Sequence, residues 1–257
     1  MSPSESGVSL ADLAASLDQY LEVGSVTDAP DAMNGLQVTN SGRVHRVAAA
    51  VDACEASITM AVAQRADLLL VHHGLFWGSP KPLTGPAYRR VAGLIRNDLA
   101  VYSSHLPLDR HPVVGNAPVL ARQLGITVRG DFGVYRGQAV GVWGDLDVSR
   151  DELTKRLASA TGQIPRLLPF GPERVRRVGI VTGAGGGEIP QAAAAGLDTY
   201  ITGEGPHWSY FDAEELQLNV LFGGHYATET FGVKALAAYV QEKFGLPWVF
   251  LDHPTGL

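Results

Sequence analysis

Three short segments of this 257-residue chain concentrate the side chains that bind metals and move protons. His72 and His73 close the apolar run Leu68 to Val71 and precede a glycine. His105 stands four residues before Asp109 in Ser-Ser-His-Leu-Pro-Leu-Asp, and His225 four before Glu229 in Gly-Gly-His-Tyr-Ala-Thr-Glu. Imidazole and carboxylate donors together suit zinc, manganese, iron or cobalt without selecting one of them. A carboxylate also carries the negative charge needed to bridge two cations, which neutral imidazole lacks. Neighbouring residues on a strand point to opposite faces, so His72 and His73 are expected to serve two ions rather than one. Any one of these pairs alone reads equally well as a strand-end or turn group bonded to backbone. Three together, each at the end of an apolar run, point to metal binding.

The clusters also sit in a degenerate repeat. Shifted by 131 positions, Val44 and Val47 fall on Val175 and Val178, Asp67 on Asp198, His73 and Gly74 on Glu204 and Gly205, and Trp77 on Trp208. Further along a shift of 120 places His105 on His225, Asp109 on Glu229, and the Gln-Leu-Gly-Ile ending at Ile126 on the Lys-Phe-Gly-Leu ending at Leu246. Both copies thus end a strand in a histidine with a carboxylate four residues on, as expected of a duplicated unit building one site from two halves.

The elements that must position these groups alternate between short aliphatic runs and helical patterns, which predicts α/β architecture with mainly parallel strands. Strands are predicted at Val47 to Val51, Leu68 to His72, Ala100 to Ser103, Ala139 to Trp143, Val178 to Thr182, Thr199 to Thr202, Val220 to Phe222 and Trp248 to Leu251. A helix over Leu10 to Leu21 opens the chain. Another runs from Thr230 to Phe244 with Val233, Leu236, Val240 and Phe244 on one face, stopped by Gly245 and Pro247. Residues 126 to 174 have no counterpart in the repeat and carry a helix opened by Ser149 with Glu152 three residues on. The expected fold is two interlinked, duplicated α/β lobes in three α/β/α layers. One lobe comprises residues 1–125 with 216–257 and bears the metal; the second comprises 126–215. Ligands of open α/β sheets sit beyond the carboxyl ends of strands, where the histidines fall.

Composition narrows the function classes. A net charge of −6 supplies no global positive field for nucleic acid or anionic lipid, so long nucleic acid is a disfavoured partner. No apolar run reaches the length of a membrane helix. Cys54 is the only cysteine, which fits a reducing compartment, and cytoplasmic residence is expected. Thr182 to Glu188 is glycine-rich between a strand and a helical run; its amides suit a phosphate, although such turns are also common for steric reasons. Asn34-Gly35 is a turn signal. Trp77 and Trp208 suit stacking on a base, and more often such residues pack a core or interface.

The segments Val71 to Trp77, Ser103 to Asp109 and Gly223 to Glu229 resemble the signatures of the YbgI-like proteins, known as type 2 homologues of GTP cyclohydrolase I and described as dinuclear metal proteins. Asn34 to Gln37 and Thr202 to Glu204 match further motifs, and the resemblance spans nearly the whole chain. It implies two divalent ions held by His72, His73, Asp109, His225 and Glu229, with Glu229 bridging. It implies self-association into a ring-shaped homohexamer whose sites face an inner cavity, and a small nucleotide-like substrate. Hydrolysis is the matching reaction class: opening of the guanine imidazole ring of GTP with release of formate. His105 and Glu204, equivalent to ligand positions in the repeat, are candidates to protonate the leaving nitrogen, and Glu204 is alternatively a hydrogen-bond partner of a ligand histidine. A metal-dependent phosphoesterase or nuclease, and a non-catalytic metal-binding scaffold, are the competing readings.

Overall fold

The aliphatic runs become strands closed off from water on both faces, as parallel strands are. The first five residues of Val47–Asp52 and of Leu68–His73 are all buried. The computed structural model describes residues 7–30, 32–77 and 81–257. The chain divides into two compact units, Met1–Leu108 with Val233–His253 and Asp109–Gly232 with Pro254–Leu257.

The first unit holds a five-stranded sheet in the order Trp248–Phe250, Val47–Asp52, Leu68–His73, Ala100–Ser103 and Gly35–Val38. The first four strands are parallel and the last is antiparallel to its neighbour. Helix Leu10–Tyr20 starts at Ser9, whose hydroxyl accepts the Asp12 amide, and buries Leu10, Leu13, Ala14 and Leu17 on one face. Ile58, Leu69, Val71, Leu94 and Val101 belong to one core cluster.

The second unit holds six strands in the order Thr127–Tyr135, Gln138–Ser149, Arg174–Ile180, Thr199–Thr202, Asn219–Phe222 and Arg166–Pro169. Arg174–Ile180, Thr199–Thr202 and Asn219–Phe222 are mutually parallel. The remaining pairings are antiparallel. The parallel expectation therefore describes the first sheet well, whereas the second is mixed. Its extra strands come from the stretch that the repeat does not cover. Thr127–Tyr135 was not expected as a strand because its glycines and charges break the aliphatic pattern; it pairs in a hairpin with a register shift between Val128 and Gly130. Helix Arg150–Thr161 follows Ser149, whose hydroxyl accepts the Glu152 amide as anticipated.

The unit boundaries differ from 125/126 and 215/216 for two packing reasons. Strand Asn219–Phe222 is hydrogen-bonded to Thr199–Thr202. Helix Asn116–Leu124 buries Leu120 and Leu124 in the cluster that holds Leu153 and Leu157 of Arg150–Thr161.

The repeat is visible within each unit. Val47 lies opposite Leu68 in one sheet and Val178 opposite Thr199 in the other, which preserves the 131 shift in both strands. Asp67 Oδ2 accepts the amides of His45 and Arg46 at 2.7 and 3.0 Å. Asp198 Oδ2 accepts those of Arg176 and Arg177 at 2.9 Å each. The third strand adds a detail: Leu68 faces Ala100, while Thr199 faces Asn219, one residue short of the shift that aligns the histidines. The second copy thus has one residue more between strand and histidine, and Gly224, at φ +88°, lies within that link.

Candidate metal centre

In the first unit, Leu68–His73 delivers two histidines at its carboxyl end and the adjoining strand Ala100–Ser103 delivers His105 two residues beyond its own. His72 is fully buried, and its Nδ1 lies 3.0 Å from the Ser104 carbonyl, to which it donates. His73 Nδ1 lies 2.8 Å from Asp52 Oδ1, and Asp52 sits directly across the ladder from His73. His105 Nδ1 lies 2.7 Å from Asp28 Oδ1. Asp28 Oδ2 accepts the Asn34 amide nitrogen at 2.7 Å and the Leu106 backbone amide at 3.1 Å, and Asn34 Oδ1 accepts the His105 amide at 2.8 Å. His105 is therefore clamped at ring and backbone together. Burial alone would raise the Asp28 carboxyl, but the hydrogen bond and charge of His105, with the bonds from Asn34 and Ala29, hold it at about 2.

The three rings converge. His72 and His73 have centroids 4.7 Å apart, and each lies within 5.7 Å of His105. One ring nitrogen from each residue lies within 4.8 Å of the others. Although strand alternation starts His72 and His73 on opposite faces, their rings lie 4.7 Å apart and tilted by 45°. Trp77 stands edge-on to His105 at 4.8 Å, with its indole N–H on the Gly74 carbonyl. Its repeat partner Trp208 is 61% exposed, so the two tryptophans share a position and not an environment.

In the second unit, His225 opens the short helix His225–Thr228 and Glu229 follows it. One helical turn of spacing brings His225 Nε2 to 3.1 Å from Glu229 Oε2. Nδ1 of the same ring lies 2.7 Å from Glu204 Oε1, just past strand Thr199–Thr202. The Glu229 hydrogen bond is the chief cause that lifts His225 to about 9; burial opposes it and Glu204 adds to it. Gly183 packs against the pair at φ +65°, and a Cβ there would lie 2.1 Å from Glu229 Oε1. The glycine-rich loop threads equally tight space further on: a Cβ on Gly186 would lie 2.3 Å from Gly205 Cα, the steric reason for glycine. Asp109 is buried, and its Oδ1 accepts the Asn116 amide nitrogen at 2.8 Å. Asn116 Oδ1 in turn accepts the Gly232 backbone amide at 2.6 Å.

The donor chemistry fits a divalent metal. In all four imidazoles Nδ1 is held, by the Ser104 carbonyl for His72 and by Asp52, Asp28 and Glu204 for His73, His105 and His225. An oxygen acceptor fixes the proton on Nδ1 and directs the Nε2 lone pair away from it, the arrangement found behind metal-bound histidine. Asp28, Asp52 and Asn116 are absent from the sequence expectations, which held Gly183 only as part of the glycine-rich turn. Register would have exposed Asp52, since it ends the strand beside that of His73; nothing local in the sequence marks Asp28 or Asn116.

An α/β protein of two related units, with braced imidazoles and buried carboxylates at its strand ends, is the class so defined. The chain belongs to the Duf34/NIF3 (NGG1p interacting factor 3) family, which it matches over residues 8–255. It is 45% identical over 243 residues to the GTP cyclohydrolase 1 type 2 homolog of Deinococcus radiodurans, covering 94% of this chain and 92% of the relative. The homologue of the same name from Archaeoglobus fulgidus is 42% identical, covering 97% of this chain and 100% of the relative. Among solved structures, TTHA1606 from Thermus thermophilus superposes with a TM-score of 0.90 at 41% identity, covering 97% of this chain and 100% of that one. The protein ybgI gives 0.91 at 34% identity with the same coverage. No helix among the described residues is long and apolar enough to cross a membrane.

Proposed function

We propose that this protein is a dinuclear divalent-metal-dependent hydrolase that opens the guanine imidazole ring of GTP and releases formate. The observation that carries the metal reading is the bracing of three imidazoles, His72, His73 and His225, through Nδ1 by a carbonyl and two carboxylates. The names of the relatives above support the choice of GTP. His72, His73, Asp109, His225 and Glu229 are the residues that would hold two divalent ions. Held there, such cations would supply Lewis acidity and lower the pKa of water.

The remaining steps fall to side chains of this chain. Water adds at C8 of the guanine ring, the C8–N bonds break with uptake of a second water, and C8 leaves as formate. The departing ring nitrogen needs a proton. His105 is the proposed donor: Asp28 faces its Nδ1 as a counter-ion, and the doubly protonated ring would give up the proton on Nε2. Glu204 is better placed to orient His225 through the 2.7 Å contact than to give up a proton itself.

The test is metal analysis of the purified protein followed by formate release from GTP, with a His105→Ala variant alongside. Two ions per chain, formate from the wild type, and a variant that keeps its metal and loses turnover support the reading. Metal without formate, but with cleavage of phosphoesters, transfers the site to phosphoesterase chemistry. We further propose assembly as a ring-shaped homohexamer in the cytoplasm, supported by the family resemblance and by a single cysteine; sedimentation of a clean monomer removes the ring.

A further inference from the structure

We propose that the cleft beside the histidine triad of the first unit binds an organic anion with a planar ring, the ring lying on Trp77 and the anionic group at Arg90 and Lys81. The inference deepens the hydrolase reading by naming the class of molecule that site would act on. The cleft measures about 460 Å³, within the range of small-molecule sites. Met33, Leu83 and Val91 give it apolar walls beside Trp77. Met33 and Leu83 are 58% and 53% exposed, so this apolar rim faces water. Trp77 is a fixed platform, since its indole N–H is bonded to the Gly74 carbonyl at 2.9 Å and its ring packs edge-on against His73 and His105. A ring laid on it lies next to the imidazoles.

The charge of the cleft is unbalanced. Glu55, the carboxylate whose charge Arg89 and Arg90 both feel, is already satisfied by two hydrogen bonds of 2.8 Å from Arg89. Arg90 Nε is buried with no hydrogen-bond partner, and neither Arg90 nor Lys81 makes an ion pair among the described residues. No carboxylate is among the described residues that line the cleft. A buried guanidinium nitrogen without an acceptor is costly, and a carboxylate or phosphate is the group that satisfies it best. In a chain of net charge −6, two cations on an apolar cleft whose described lining holds no carboxylate select a ring-bearing anion over a neutral ring or a cation.

The experiment is equilibrium binding to the full-length protein as purified, by titration calorimetry. Guanosine 5′-monophosphate and 2-naphthoate serve as ring-bearing anions, with guanosine and inorganic phosphate as the separate halves of the nucleotide. The nucleotide is expected to bind about tenfold or more tighter than either half, and both anions to weaken by about tenfold in a Lys81→Gln, Arg90→Gln double variant whose melting temperature is unchanged. Guanosine binding should not move in that variant. An Ala87→Trp variant, which fills the cleft, should bind neither anion. Absence of binding by both anions at millimolar concentration, unchanged affinity in both variants, or inorganic phosphate binding as tightly as the nucleotide overturns the proposal. Because 2-naphthoate offers no bond for a hydrolase to cleave, its binding is read whether or not the hydrolase reading survives.

Discussion

Glu204 Oε1 holds His225 Nδ1 at 2.7 Å, and through that ring it acts on the nitrogen facing Glu229. The carboxylate is half exposed, so its loss leaves no buried charge and the fold should survive. A Glu204→Gln variant is expected to melt near the wild type and to lose roughly ten- to a hundredfold in metal affinity, as removal of such partners does elsewhere. Competition with a chromophoric chelator measures it. Unchanged affinity together with lost turnover would return Glu204 to the role of proton donor.

Gly183 sets how close the glycine-rich loop comes to Glu229. At φ +65° an alanine costs roughly 1–2 kcal/mol of backbone strain. Its Cβ also meets Glu229 Oε1 at 2.1 Å, so the carboxylate must move. Gly183→Ala should therefore lower both the urea midpoint and the metal content. Gly187→Ala, where a Cβ meets open space, should change neither.

Asn116 joins the two ends of the second unit's chain by bonding Asp109 with its nitrogen and Gly232 with its oxygen, fully buried. Asn116→Ala removes both bonds at once and should cost about 1–3 kcal/mol, the range for a buried polar group that loses its partner. Urea denaturation reads it, and a loss below about 1 kcal/mol would mean that water replaces the amide.

Asp28 gives a pH dependence with a definite sign. Its folded carboxyl sits at about 2, below the ordinary value of 3.8, so its ionisation stabilises the fold above pH 4 and that contribution is lost as pH falls towards 2. The stability gap between wild type and Asp28→Asn, about 2 kcal/mol at neutral pH, should close between pH 4 and 2. The comparison belongs in chelator-treated protein, by urea titration at each pH.

Metal removal supplies a last check. Ions that bind only the folded chain should raise its stability by about 2.7 kcal/mol at a hundredfold excess over Kd, and chelation should reverse the gain. Thermal melts with and without added zinc or manganese measure this, and identical melts would remove the metal reading.

Much of this molecule is legible in its residues alone. The strands Ala100–Ser103 and Thr199–Thr202 and the helix Thr230–Phe244 have the bounds that their patterns predict. These are runs whose burial is complete or whose apolar spacing is regular, so local sequence carries the signal. The pairing of Asp67 with Asp198 was also readable from the repeat, and both copies spend the same carboxylate on the two backbone amides just before Val47 and Val178. The hairpin strand Thr127–Tyr135 was not, since its exposed residues and glycines look like a loop until a partner strand supplies the hydrogen bonds.

The sequence by itself determined which residues could act on a metal and that His72, His73, His105 and His225 stand at strand ends. Only the tertiary structure decided which groups hold them. Asp28 is 77 positions from His105, and Asn116 is 116 positions from Gly232. A hydrogen bond is blind to separation along the chain: it depends on distance and direction in space, which exist once the sheets have formed and packed.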